Sequence, residues 1–180
     1  MAKELVNTKA KVWVPASDGM VPLRSPRHFE RETVMGVERI VASTDEGWCE
    51  LLVRLVAPGG TTFYCLYEQR DSEESVRTES EKMDLDSLHQ IVAEFREFLE
   101  SDPRHNFWAY NVEAEVQIVL DEHNHLIVYG RLDTAVGVLQ ELGFTKGSVE
   151  LPTPHVHLYD QFGPEAEEAI LARIRPAAQD

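Results

Sequence analysis

The stretch that most constrains this chain is WAYNVEAEVQIVL, residues 108–120. Its even positions are Trp108, Tyr110, Val112, Ala114, Val116, Ile118 and Leu120, and its odd positions include Asn111, Glu113, Glu115 and Gln117. Successive side chains on a strand point to opposite faces, so this alternation predicts a strand with its even face buried and its odd face wet. DEHN then turns the chain and HLIVYG returns as a second antiparallel strand. If Leu120 pairs with His125, then His125, Ile127 and Tyr129 share the buried face.

Around this core the remaining pattern predicts an α+β fold, a largely antiparallel sheet with about three helices packed on it. The first helix lies in residues 85–99, where Leu85, Leu88, Ile91, Val92, Phe95, Phe98 and Leu99 form one stripe and Asp84 or Asp86 can cap the start. The second lies in RLDTAVGVLQELGF, capped by Asp133 and ended by Gly143 and Phe144. The third starts at Pro164, carries Glu165, Glu167 and Glu168 near its positive end, and docks through Ile170, Leu171 and Ile174. WCELLVRLV-APGG-TTFYCLYEQ, residues 48–69, reads as a hairpin with its two cysteines, Cys49 and Cys65, on opposite faces. Residues 10–14 and 33–42 read as further strands, and residues 15–31 as a loop. Residues 147–159 are extended and suit a sheet edge, because Pro152 and Pro154 remove donors from one side. The polar, acidic segment at about 70–84 reads as a solvated linker.

At 180 residues the chain is long enough for a single domain, residues 1–180, with a substantial core. Its net charge is −15. Residues 1–60 hold eight basic and eight acidic side chains, so the whole excess lies in residues 61–180. Such a field repels phosphate backbones, which argues against a nucleic-acid partner and suits a basic protein partner instead. No apolar run reaches the ~20 residues of a membrane span, which argues against a membrane role. The opening MAKELVNTKAKVWV has no apolar leader, and two cysteines make no disulfide scaffold. The expected setting is therefore the cytoplasm.

The chemistry-bearing motifs are few. Four of the seven histidines form two His-x-His pairs, His123 with His125 and His155 with His157. On a strand, residues two apart share a face, so each pair can offer two imidazoles to one divalent metal such as zinc. If residues 155–159 run parallel to 125–130 after a β-α-β crossover, the two pairs meet at one sheet edge. Asp121 or Asp160 would then supply a carboxylate, and Tyr159 or Tyr129 a proton donor. Arg24, Arg27 and Arg31, with His28, form the one basic cluster and a candidate anion site. APGGTT is a turn rather than a phosphate loop, and no serine sits in a nucleophile elbow. The leading expectation is an acidic cytoplasmic binding protein without catalytic activity, an inhibitor or antidote for a basic partner. The alternative is a metal-binding protein or metal-dependent hydrolase built on the four histidines.

Overall fold

In the computed structural model, which describes residues 10–70, 75–159 and 162–175, the chain forms an α+β fold around a large sheet. A small antiparallel pair comes first, β1 (Trp13–Ala16) and β2 (Gly19–Pro22). Then come β3 (His28–Val34), β4 (Val37–Ser43), α1 (Trp48–Val56), β5 (Phe63–Gln69), β6 (Val76–Glu79), α2 (Leu85–Glu94), α3 (Arg96–Ser101), β7 (His105–Asn111), β8 (Val116–Leu120), β9 (Leu126–Tyr129), α4 (Leu132–Glu141), β10 (Thr145–Lys146) and α5 (Pro164–Ile174). The eight-stranded sheet has the order β10-β3-β4-β9-β8-β7-β5-β6. Every neighbouring pair is antiparallel except β10 with β3.

One face of this sheet carries the core. Registered rows cross it: Ala42 pairs with Leu126, Leu126 with Leu120, Leu120 with Phe107 and Phe107 with Tyr67. All five are fully buried. The helix α1 packs on β7, β8 and β9, with α2 and α4 against its flanks and α5 over β5 and β6. The other face is partly covered. There Tyr64 and Tyr110 meet at 5.0 Å between centroids, and the Arg77 guanidinium lies 5.7 Å from the Trp108 ring.

Several elements differ from the sequence expectation, each for a local reason. WCELLVRLV is a helix, not the first arm of a hairpin. As a strand it would interleave Glu50 and Arg54 with Leu52 and Val56 on one face, whereas at helical spacing the two charges stack at i and i+4, away from Leu51, Leu52 and Leu55. Both cysteines are buried, Cys49 in α1 and Cys65 in β5.

Residues 108–120 are not one strand but the hairpin β7–β8, joined by residues 112–115. The Asn111 side chain accepts from the Ala114 amide and donates to the Val56 carbonyl, so an inward-facing asparagine builds the turn. The buried face is consequently odd on β7 (Phe107, Ala109) and even on β8 (Val116, Ile118, Leu120), and Trp108 and Tyr110 lie on the partly covered face. The β8–β9 register places Leu126, not His125, opposite Leu120. That one-residue shift exchanges the faces, burying Leu126 and Val128.

Residues 33–42 span a turn at Met35–Gly36 between β3 and β4, and the expected loop at 15–31 contains β2 and the start of β3. The acidic segment contributes β6 on the sheet edge, while residues 71–74 lie outside the described residues. The helix of residues 85–99 is broken at Phe95 into α2 and α3, and Asp84 caps it by accepting from the Ser87 amide at 2.8 Å. Among the described residues there are five helices where about three were expected. The N-cap of α4 is Arg131, in the left-handed region, rather than Asp133. Its C-terminal stop at Gly143 (φ 82°) and the α5 docking residues Ile170, Leu171 and Ile174 are as the sequence indicates. The strand after α4 does not run beside β9 but pairs with β3, two strands further out. Beyond it, Val156 forms an isolated bridge to Trp13.

Candidate metal centre

The site begins with the turn between β8 and β9. Asp121 closes β8, and its Oδ1 accepts the amides of His123 at 2.9 Å and His125 at 2.8 Å. An aspartate that captures amides further along the chain makes a compact turn. Here it keeps His125 out of β9 and sets the register. Its other oxygen lies 3.7 Å from Nδ1 of both histidines. Burial would raise the Asp121 carboxyl, but the neighbouring His123 and His125 rings and the amide it accepts from His125 hold it below its ordinary value.

The second half of the site is the extended segment around Val156. Trp13 and Val156 exchange both backbone hydrogen bonds at 2.9 Å. Side chains alternate on an extended segment, and Val156 points outward with 41% exposure. His155 and His157 therefore turn together to the opposite side, toward His123. The His123 ring centroid lies 5.5 Å from that of His155 and 5.2 Å from that of His157, and the latter two are 5.4 Å apart. One nitrogen from each of the three rings lies within 4.8 Å of the other two. Around a tetrahedral zinc with Zn–N near 2.0–2.1 Å the nitrogens would sit roughly 3.4 Å apart, so movements of about an ångström close the set.

Two of these rings are held in the tautomer a metal needs. His155 Nδ1 is 3.0 Å from the Pro152 carbonyl oxygen, and His157 Nδ1 is 3.0 Å from the Lys11 carbonyl oxygen. A carbonyl only accepts, so each Nδ1 carries the proton and donates it. Each Nε2 is left with its lone pair free, which is the outer arrangement that metal-bound histidines use. Burial lowers the pKa of His157 despite the Lys11 carbonyl, which favours the neutral, ligating form. The neighbouring Asp121 carboxylate raises that of His123.

Of the four sequence candidates, His123, His155 and His157 converge. His125 does not join them: its ring lies 6.0 Å from His123 and is largely buried, and burial lowers its pKa. The crossover expected to bring the pairs together is not the means, since the bridge to Trp13 does so. Tyr129 is elsewhere, accepting from Arg39, and Asp160 lies outside the described residues. The three basic-cluster arginines are separated. Arg24 donates to the Asp45 carbonyl, Arg27 faces Glu46 at 3.8 Å, and Arg31 reaches Asp133 at 3.1 Å and Glu38 at 3.6 Å.

Sequence reasoning missed the support. Lys11 is wholly buried, and its Nζ donates to the Asp121 carbonyl at 2.9 Å. Burial pushes its pKa down to about 8. Through its carbonyl and its ammonium it touches both halves of the site. A lysine just ahead of a short apolar strand carries no sequence signal of that role. Nor was the adjoining cleft of about 450 Å³ foreseen, which Arg70, Arg104, Glu122 and Tyr159 line together with His123 and His157. Set against known protein families, characterised proteins and solved structures, the chain matches none of the three.

Proposed function

We propose that this protein binds a divalent transition metal, with zinc as the reference ion, through His123, His155 and His157. The observation that carries the reading is the convergence of one nitrogen from each of three imidazoles, two of which have Nδ1 against a backbone carbonyl. Three protein ligands leave a fourth position for water or substrate, the arrangement of catalytic rather than structural zinc. The cleft beside His123 and His157 gives that position access to a small molecule. Metal-assisted hydrolysis is the reaction class such a water supports.

The test is zinc uptake by chelator-stripped protein, followed by competition with a chromophoric chelator. The wild type should take up close to one equivalent. His155→Ala/His157→Ala should lose at least about a hundredfold in affinity, while His125→Ala should stay within about tenfold. Equal, weak uptake by wild type and double variant sinks the proposal.

The net charge of −15 supports a second reading, a non-catalytic protein whose acidic surface receives a basic protein partner.

A further inference from the structure

The cleft beside the histidines has an unusual charge composition for this molecule. It gathers two guanidinium groups, Arg70 and Arg104, in a protein with nearly twice as many acids as bases. Arg70 Nη2 lies 3.3 Å from Glu122, and Arg104 is clamped to buried Asp102 and also donates to the Phe162 carbonyl. The backbone holds the two arginines together, since the Arg70 amide donates to the Arg104 carbonyl at 2.7 Å. Each guanidinium thus has one carboxylate. In the wall behind the histidines, the Lys11 ammonium donates to the Asp121 backbone carbonyl, and the nearby Asp121 carboxylate offsets its charge through space. Imidazoles in the neutral form that a metal requires add no charge. Counted over these pairs the cleft is close to electroneutral, with Glu167 behind Arg104 engaged by the Tyr67 hydroxyl, and a divalent ion on the histidines would add two positive charges.

That excess matches a dianion. Coulomb attraction between such a ligand and the site is strong only in a partly desolvated cleft, and the protein's overall negative field opposes any anion elsewhere. Arg70 is the accessible contributor: its side chain is 46% exposed and meets Glu122 through one nitrogen. A guanidinium recognises a phosphoryl group with two parallel donors. Arg104, mostly buried and doubly held by Asp102, forms the fixed wall.

Resting on the metal reading above, we propose that the metal-loaded cleft binds a phosphate monoester, with one phosphoryl oxygen on the metal and another on Arg70. Binding of the two is coupled. The ester binds only the loaded protein, and by reciprocity it tightens metal binding by the same factor.

The experiment uses the full chain, stripped and zinc-loaded, titrated calorimetrically with phenyl phosphate and separately with benzoate, which presents the same ring on a monoanion. Phenyl phosphate should bind the zinc-loaded protein at least about tenfold more tightly than benzoate does, and neither should bind the stripped protein. Arg70→Ala should weaken phenyl phosphate binding by about tenfold or more while leaving zinc affinity unchanged, and Arg70→Lys should recover part of the loss. Zinc loading without any gain in phenyl phosphate affinity overturns this inference and leaves the metal reading standing. So does equal binding of benzoate, or an Arg70→Ala variant that binds as the wild type does. Failure to load zinc overturns both.

Discussion

His105 shows what burial does to a single ionisable side chain. It lies on β7 with no exposed surface, its ring 4.8 Å from Phe98 and 5.1 Å from Tyr67 between centroids. Burial first, and then the positive charge of Lys11, hold its pKa well below 6.5. In the unfolded chain the ordinary value returns. Above that value both states are neutral and the group costs nothing. As pH falls below about 6.5 the unfolded chain takes a proton that the folded one refuses, so stability drops by up to about 1.4 kcal/mol per pH unit. The expected outcome is that His105→Phe, which keeps an aromatic ring in the same slot, loses less stability than the wild type between about pH 7.5 and about pH 5.5. Urea midpoints measured at both values decide it, and identical losses in the two proteins would show that His105 does not titrate in this way.

At the scale of elements, α1 carries the centre of the packing. Leu52 has no exposed surface, and the helix lies across β7, β8 and β9. Leu52→Ala should cost about 2–5 kcal/mol, read as a lower urea midpoint with an unchanged slope. A loss below about 1 kcal/mol would mean that this helix does not form the core. The same element marks where the sequence was hard to read. Residues 48–56 are apolar on nearly every turn, and in so dense a run only Glu50 and Arg54 separate helix from strand. Where punctuation was strong the elements were legible: Asp84 before α2, Gly143 after α4, Pro164 opening α5. The strand alternation was legible too, but not which face was deeper, because aromatic residues occupy both faces of β7. The turn at residues 112–115 was hidden because the even positions stay apolar through it, from Trp108 and Tyr110 on the outer face of β7, by Val112 and Ala114, to Val116, Ile118 and Leu120 on the inner face of β8. The histidines announced themselves in pairs, yet the pairing that matters crosses between them. His125 drops out because the Asp121 side chain, and not strand propensity, decides where β9 starts.

At the scale of the whole molecule, charge and connectivity set the behaviour. No helix among the described residues is long and apolar enough to cross a membrane. The net charge of −15 makes any association with a basic protein dependent on ionic strength. A partner captured at about 50 mM salt should bind about tenfold or more weakly at about 300 mM, and retention unaffected by salt would remove the charge argument. The histidine site, in turn, draws on distant parts of the chain. Lys11 meets Asp121 across 110 positions and His157 across 146. Contacts of such separation close late, because the loop entropy must be spent before they return anything. The three imidazoles therefore cannot come together until the β8–β9 turn, the N-terminal strand and the segment after α4 are all in place. An ion held there would act as a latch on a finished fold rather than as a seed for it, and its departure would loosen the segments around Lys11 and Val156 before it disturbed the sheet.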